Sequence, residues 1–203
     1  MNDIVDSVLE TIPKAGLVVA EVSARHVHLT QADVESLFGP GAKLTPKRRL
    51  SQPGQFLSEE RVTIVGPRGR KERVAILGPV RANTQIELSK SDCVELGIEA
   101  PVRESGDVEG SGPIVIEGSK GKLDLRQGVI IAHNHIHLTP DTAKIMGLHD
   151  RQSVCVELLT ERPVMFKDVT IRVSSSSCDR MHIDFDEANA ALVNGFTLAH
   201  VVR

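Results

Sequence analysis

The sequence predicts a mainly β fold with short α-helical caps, organised as small barrels or sandwiches. Short segments with alternating apolar and polar side chains recur along the chain, for example Val154–Leu158 and Val164–Val173. Turns that contain glycine separate such segments, as at residues 66–69 and 118–121. The helices predicted between them are brief and are closed by glycine. A parallel sheet with long crossovers is therefore disfavoured.

The composition argues against some classes of function. The 203 residues include 24 basic and 27 acidic side chains, with a net charge of -3, so no field is set up to attract a polyanion. Trp and Tyr are absent and only five Phe are present, which removes the aromatic platforms on which bases stack. We therefore expect an aliphatic core and no nucleic-acid partner.

The cysteines indicate a reducing compartment. Cys93, Cys155 and Cys178 are odd in number, widely separated and in no Cys-x-x-Cys pair, which predicts neither a disulfide framework nor a thiolate zinc site. A cytoplasmic location is the expectation that follows. No apolar run approaches the roughly 18 residues of a membrane span. The first residues lack the basic start of a secretion signal, so no membrane partner is expected.

Residues 1–14 predict an amphipathic helix or tail. Its apolar stripe consists of Ile4, Val5, Val8, Leu9 and Ile12, and Pro13 ends the run. One interpretation is packing on the chain's own body or on the second copy of a homodimer. The other is a tail that docks on a different protein, because an apolar stripe on a terminus suits a partner's groove.

The next elements flank a histidine pair and a basic stretch. A strand predicted over Leu17–Ser23 leads to His26 and His28, and Thr30 predicts the N-cap of the helix that follows. Residues 39–59 carry Gly, Pro and consecutive basic side chains, which predicts a basic loop or short hairpin excursion suited to a phosphorylated ligand.

The remainder of the chain repeats a strand, a polar cap and a short helix. A hairpin is predicted over Arg61–Val65 and Glu72–Leu77, and Ser89 or Ser91 predicts the cap of a helix ending at Leu96. The later predicted elements are a strand-like stretch over Gly112–Leu125, a strand over Ile130–Leu138, a helix opened by Thr139 and Pro140, a helix over Asp186–Leu192 and a last strand over Phe196–Val202.

Two His-x-His pairs are the main functional signal. His26 and His28, and later His135 and His137, are each followed by Leu-Thr. Alternate residues of a strand share a face, roughly 6.5 to 7 Å apart, so each pair points one way. Neutral imidazole is a preferred ligand for zinc and similar ions. The pairs therefore predict metal binding, and the alternative is two exposed strand ends that carry histidines.

Glu87 and His182 extend this pattern, because each also lies at a strand end that precedes a polar cap and a short helix. Five histidines and one carboxylate would fill two sites of three protein ligands, each with the open position of a catalytic zinc. Arg81, six residues before Glu87, is suited to an oxyanion, and its alternative is a surface salt bridge. His133 is a weaker candidate, because three successive positions of one face rarely reach one ion.

Five ordered motifs resemble those of the PduL-type phosphate acyltransferases, from about residue 17 to the C-terminus. They are Ser23-Ala24-Arg25-His26-Val27-His28, residues 50–56, residues 77–87, residues 135–140 and residues 182–190. The resemblance implies an enzyme that interconverts acyl-CoA and phosphate with acyl phosphate and CoA, commonly with propanoyl or acetyl groups.

The resemblance also implies roles for individual residues. His26, His28 and Glu87 match the ligands of one zinc, whose open position takes the CoA sulfur. His135, His137 and His182 match the ligands of a second zinc, beside which phosphate sits with Arg81. Ser23, Arg48, Leu77 and Asn189 fall on positions that contact CoA. Ala75 stands where an arginine is expected, and His133-Asn134 replace a small residue and an arginine.

The implied architecture is two small β-barrels capped by short helices, with the active site between them. Residues 15–24 with 133–203 form one barrel, and residues 25–38 with 60–132 form the other. The N-terminal helix resembles tails by which some members of the family enter bacterial microcompartments. The alternatives are a dinuclear zinc hydrolase acting on a thioester or related acyl substrate, and a non-catalytic metal or interaction module.

Overall fold

The computed structural model describes residues 11–202. Its contacts divide the chain into two compact units. The terminal unit contains the described residues up to Ser23 and from Asn134 onward, and the central unit is Ala24–His133. Most of the helix predicted over residues 1–14 lies outside the described residues, and residues 11–14 are helical.

Strands dominate both units. The strands are β1 (Leu17–Val22), β2 (His26–His28), β3 (Pro46–Arg49), β4 (Phe56–Val65), β5 (Arg70–Gly78), β6 (Gln85–Glu87), β7 (Val102–Arg103), β8 (Gly112–Glu117), β9 (Lys122–Ala132), β10 (His135–Leu138), β11 (Ser153–Leu159), β12 (Val164–Val173), β13 (Arg180–Ile183) and β14 (Thr197–Val202). Besides the helical residues 11–14, the helices of the described part of the chain are α1 (Gln31–Phe38), α2 (Lys90–Leu96), α3 (Pro140–Met146) and α4 (Phe185–Ala190).

Each unit contains a closed ring of six strands. In the terminal unit the order is β1-β13-β10-β12-β11-β14, and β14 pairs with β1 to close the barrel. In the central unit β4, β5, β2, β6, β9 and β8 follow one another, and β8 pairs with β4 to close the ring. β3 extends this sheet at β4, and β7 pairs with β9. The predicted mainly β fold of small barrels with short helices is therefore confirmed.

Each barrel encloses its own aliphatic core. Ile136 belongs to the core of the terminal unit and Val27 to that of the central unit, and both are fully buried. Because side chains alternate along a strand, these two core residues turn the flanking histidines to the opposite face. Burial of each such side chain stabilises its unit by about 1.5–3 kcal/mol. Turning a histidine pair toward the core would expose Val27 or Ile136 and lose this stabilisation, so core packing fixes the face on which the histidines lie.

The predicted helix caps are observed. Thr30, Ser89 and Thr139 each accept a hydrogen bond from the backbone N–H three residues later. Asp184 caps α4 in the same way, as part of a capping box. The predicted helix over Asp186–Leu192 is shorter than expected and ends at Ala190, because Leu192 has a positive φ of 51°.

The prediction of one continuous strand over Ile130–Leu138 is wrong in one respect, because the segment is divided between two strands. β9 ends at Ala132 and β10 begins at His135, and the boundary between the units falls between these strands. The backbone N–H of His133 donates to the carbonyl of Arg103 in the central unit. His133 therefore does not continue the strand of His135, and the strict alternation expected for it does not hold.

Residues 39–59, predicted as a basic loop or short hairpin excursion, contain β3 and the start of β4. The side chains of β3 are exposed, and Lys47 Nζ forms an ion pair with Glu59 Oε2 at 2.9 Å.

Within residues 11–202, the helices are all too short or too polar to cross a bilayer.

A buried carboxylate holds the start of α2 against the strand that carries His26. Asp92 is 2% exposed, and both its oxygens accept hydrogen bonds from Arg25 Nε, at 2.9 and 2.8 Å. Lys71 Nζ lies 3.2 Å from the same carboxylate. Burial alone would raise the pKa of Asp92, but Arg25 and Lys71 outweigh burial, so the pKa is lowered from its ordinary value.

We expect the Asp92→Asn variant to lose about 1–3 kcal/mol of unfolding free energy at pH 7, because Arg25 loses its counter-charge and Lys71 keeps only its ion pair with Glu95. The folded-state pKa lies below the unfolded value of about 3.9, so this stabilisation is complete above about pH 5 and is lost as the pH falls through the folded pKa. Urea denaturation at pH 7 and in acid measures it, with the exposed Asp124→Asn as control. An equal difference between wild type and variant at both pH values would contradict the prediction.

Candidate metal centres

The central unit gathers three of the predicted ligands. His26 and His28 lie on β2, and Glu87 lies on the antiparallel strand β6 directly opposite His26. Their candidate ligand atoms all lie within 4.8 Å of one another. The His26 Nε2 atom is 3.4 Å from Glu87 Oε2. We call His26, His28 and Glu87 the β2–β6 cluster.

Backbone carbonyls orient both imidazoles of this cluster. His26 Nδ1 lies 2.8 Å from the carbonyl oxygen of Ala24, and His28 Nδ1 lies 3.2 Å from that of Leu77. A proton on Nδ1 satisfies each carbonyl and leaves Nε2 with its lone pair, which is the usual arrangement of a metal-binding histidine. Burial, with the nearby charges of His26 and Arg81, lowers the pKa of His28 to about 2, so this imidazole is neutral at physiological pH.

Two residues that the sequence analysis did not assign hold Glu87. Its Oε1 atom accepts hydrogen bonds from Gln85 Nε2, at 2.6 Å, and from Ser105 Oγ, at 2.8 Å. Gln85 shares the strand face of Glu87, and this i, i+2 spacing is the signal that would have identified it. Ser105 lies in the loop after β7, and no pattern in the sequence distinguishes it from other loop serines.

The terminal unit gathers the other three predicted ligands. His135 and His137 lie on β10, and His182 lies opposite His135 on the antiparallel strand β13. The three ligand atoms again lie within 4.8 Å of one another. The Nε2 atoms of His135 and His137 are 3.2 Å apart, and the rings of His135 and His182 stack at 5.3 Å. We call these residues the β10–β13 cluster.

The donor sets of both clusters fit a divalent metal ion. Burial, with the nearby charges of His182 and Arg172, lowers the pKa of His137 to about 4 and keeps it neutral. Converging neutral imidazoles, with or without one carboxylate, match the ligands of zinc. Beside the β10–β13 cluster, Glu21 Oε2 is buried, has no hydrogen-bond partner among the described residues and lies 4.0 Å from His182 Nε2. A cation beside His182 would compensate this carboxylate oxygen.

Arg81 belongs to the surroundings of the β2–β6 cluster. Its backbone N–H donates to the Leu29 carbonyl at 2.8 Å, and its Nη1 donates to Ser105 Oγ at 3.3 Å. Arg81 also lines a cavity of about 220 Å³ in the central unit. The other lining residues are Pro53, Gly54, Gln55, Gly78 and Pro79. A guanidinium at the edge of a cavity is suited to an anionic ligand.

The predicted CoA contacts are distributed over both units. Arg48 is exposed on β3, and the Leu77 carbonyl faces His28 in the central unit. In the terminal unit the Ser23 N–H donates to the Ile183 carbonyl at 2.7 Å, and Asn189 is exposed on α4. Their contact with CoA stays a prediction.

Two substituted positions have different surroundings. Ala75, where an arginine was expected, lies in β5 opposite His26. His133 lies outside both clusters, and its Nδ1 is 3.7 Å from Glu104. This agrees with its weak prospects as a ligand.

Comparison with known proteins identifies a family. The family model described as phosphate propanoyltransferase matches residues 19–194. A phosphate propanoyltransferase of Clostridioides difficile is 43% identical over 203 residues, covering 100% of this chain and 97% of the relative. A phosphate propanoyltransferase of Thermotoga maritima is 46% identical over 200 residues, covering 98% and 95%. One of Lachnoclostridium phytofermentans is 51% identical over 173 residues, covering 85% and 81%.

The family match covers most of both units and includes all six cluster residues. The predicted resemblance and the predicted enzyme class, acyltransferase, are confirmed by these matches. The chain belongs to the phosphate propanoyltransferase family.

Proposed function

We propose that this chain transfers a propanoyl or acetyl group between CoA and inorganic phosphate, with one zinc ion in each of the two clusters. Membership of the phosphate propanoyltransferase family supports the reaction. The observation that carries the metal assignment is that each unit gathers three ligand atoms within 4.8 Å on a pair of antiparallel strands. Three protein ligands leave a coordination position for a substrate atom.

The residues that would hold the two ions are those of the β2–β6 cluster and the β10–β13 cluster. The depressed pKa values of His28 and His137 keep their nitrogens available as ligands at neutral pH. When bound, zinc supplies Lewis-acid stabilisation to a thiolate or a phosphate oxygen.

Arg81 supplies the positive charge that orients phosphate. A guanidinium binds a phosphate dianion with two parallel N–H donors, which directs a third oxygen away from the arginine. In the proposed reaction this oxygen attacks the thioester carbonyl, the carbon–sulfur bond breaks and CoA leaves as a thiolate. The two negative charges of the phosphate dianion are then shared between the protonated acyl phosphate and the CoA thiolate, and the acyl phosphate releases its remaining proton to solvent. When Arg81 holds phosphate beside the bound acyl-CoA, the attack of phosphate on the thioester becomes effectively unimolecular.

CoA is proposed to contact Ser23, Arg48, Leu77 and Asn189. The exposed guanidinium of Arg48 is available for a phosphate group of the nucleotide. The resemblance of residues 1–14 to encapsulation tails supports a location inside a bacterial microcompartment.

We expect Arg81→Ala to raise the KM for phosphate more than tenfold, or to abolish turnover, because phosphate loses its bidentate partner. Steady-state kinetics at varied phosphate concentration measure this, and metal analysis of the same variant should still give two ions per chain at saturating zinc. Arg126→Ala is a matched control, since this side chain is exposed on β9 of the same unit. Unchanged phosphate kinetics in Arg81→Ala would remove this arginine from its role.

Removal of metal should abolish acyl transfer, and added zinc should restore it. His28→Ala and His137→Ala should each lower the bound zinc from two ions per chain to one, because each removes one ligand of a different cluster. Elemental analysis and a coupled assay on acetyl- and propanoyl-CoA measure both effects. Full activity after chelation would reject the metal assignment. Consumption of acyl-CoA at the same rate without phosphate would favour the zinc hydrolase.

A fusion of residues 1–14 to a fluorescent reporter should form foci in a host that produces microcompartment shells. Fluorescence microscopy with and without the shell genes measures this. Replacing Val5 and Leu9 by Asp places two charges within the apolar stripe and should give diffuse signal. Diffuse signal from the unaltered fusion would reject the proposed location.

A further inference from the structure

A fully connected polar network lies beside the β2–β6 cluster. Gln85 Nε2 donates to Glu87 Oε1 at 2.6 Å and to Ser105 Oγ at 2.9 Å. Ser105 Oγ donates to Glu87 Oε1 at 2.8 Å and accepts from Arg81 Nη1 at 3.3 Å. The Gln85 Oε1 atom accepts from the Gly106 N–H at 2.6 Å. The network spans a strand, a loop and the arginine assigned to phosphate.

The chemistry of the donors determines the direction of each of these bonds. The Gly106 N–H can only donate, so the oxygen of the Gln85 amide faces the loop and its nitrogen faces Glu87. The two protons of this nitrogen then serve Glu87 and Ser105. Arg81 can only donate as well, so both lone pairs of the Ser105 hydroxyl are occupied. Its single proton remains for Glu87.

This arrangement determines which carboxylate oxygen is available to a metal ion. Both hydrogen bonds reach Oε1 of Glu87, whereas Oε2 faces His26 Nε2 at 3.4 Å. A glutamate carboxylate otherwise rotates readily about its last torsion. Two donors on one oxygen restrict that rotation and hold the second oxygen among the candidate ligand atoms. Groups that orient a metal ligand typically change metal affinity by about 10- to 100-fold when they are removed.

Burial increases the importance of these bonds. Gln85 is only 2% exposed, so its amide has no access to bulk water as a substitute partner. Gln85 and Glu87 face the same side of β6, so the strand itself sets their separation. Ser105 is brought to them by the loop, whose Gly106 N–H is bound to Gln85. The conformation of the loop that carries Ser105 and the hydrogen bonds of the residues on β6 therefore depend on one another.

We propose that Ser105 and Gln85 are positioning residues that hold Glu87 for metal binding, and that Ser105 links this ligand to Arg81. The inference rests on the proposed function, because it takes Glu87 as a zinc ligand and Arg81 as the phosphate-binding residue. The inference predicts that loss of the Ser105 hydroxyl weakens both metal binding and phosphate binding. A residue with a merely structural role in the loop would change neither.

The test compares the full-length wild type with Ser105→Ala, Ser105→Thr and Gln85→Met. Ser111→Ala is the matched control, because Ser111 is a buried serine of the same unit that donates to Val108 and accepts from Gly128 outside the network. Zinc dissociation constants are measured by competition with a chromophoric chelator, and cobalt substitution reports ligand geometry through its visible spectrum. Thermal denaturation is recorded for every variant.

We expect Ser105→Ala and Gln85→Met to weaken one of the two zinc sites by about 10- to 100-fold and leave the other unchanged. Ser105→Ala should also raise the KM for phosphate with a smaller change in the KM for CoA. Ser105→Thr, which keeps the hydroxyl, should restore zinc affinity. Zinc constants within twofold of wild type in Ser105→Ala, or an equal loss in Ser111→Ala, would overturn the inference.

The zinc measurement also separates this inference from the proposed function. It requires no substrate, so wild-type protein that binds two zinc ions without phosphate-dependent acyl transfer would reject the proposed function together with the predicted effect of Ser105 on phosphate. The zinc constants of Ser105→Ala would still decide whether Ser105 holds Glu87 for metal binding. Unchanged zinc affinity in Ser105→Ala, with normal acyl transfer by the wild type, would reject the positioning role alone. Wild-type protein without a zinc site at the β2–β6 cluster would overturn both.

Discussion

The pairing of a short His-x-His strand with one antiparallel neighbour is the constraint on which both clusters depend. In the central unit it sets His26 against Glu87, and in the terminal unit it sets His135 against His182. Directly opposed residues in such pairs have Cβ atoms about 4.5–5.5 Å apart, which is short enough for two side chains to reach one ion. A shift of one residue in either register would send the histidines into the core and expose an aliphatic side chain. Core packing therefore protects the geometry of the clusters.

Burying the imidazoles of the clusters lowers the stability of the fold unless their ring nitrogens form hydrogen bonds. His28 is 2% exposed, and the carbonyl that binds its Nδ1 compensates part of the desolvation. The remaining cost appears as a lowered pKa, which favours the neutral form that a metal requires. The same burial that disfavours a charged histidine thus prepares a ligand. In the central unit Gln85 and Ser105 do the corresponding work for a carboxylate, by donating to one oxygen of Glu87.

The two clusters differ in their ligands and in the charged residues beside them. The β2–β6 cluster contains a carboxylate and lies beside Arg81, whereas the β10–β13 cluster contains three imidazoles with the carboxylate of Glu21 nearby. A ligand carboxylate lowers the net charge of a bound divalent ion, so the two sites would differ in their preference for an anionic substrate atom. Such a difference suits a reaction in which one substrate brings a thiolate and the other a phosphate.

The sequence by itself determined the faces of the strands, the helix boundaries that depend on caps, and the six candidate ligands. Alternation around Val27 and Ile136, and threonine or serine followed by a short helix, are local patterns whose energetics do not depend on distant residues. Tertiary structure alone decided that His133 leaves the strand of His135, that His182 lies opposite His135, and that Ser105 reaches Glu87. A two-residue period specifies which way a side chain points, but strand partners and loop contacts depend on how the barrel closes.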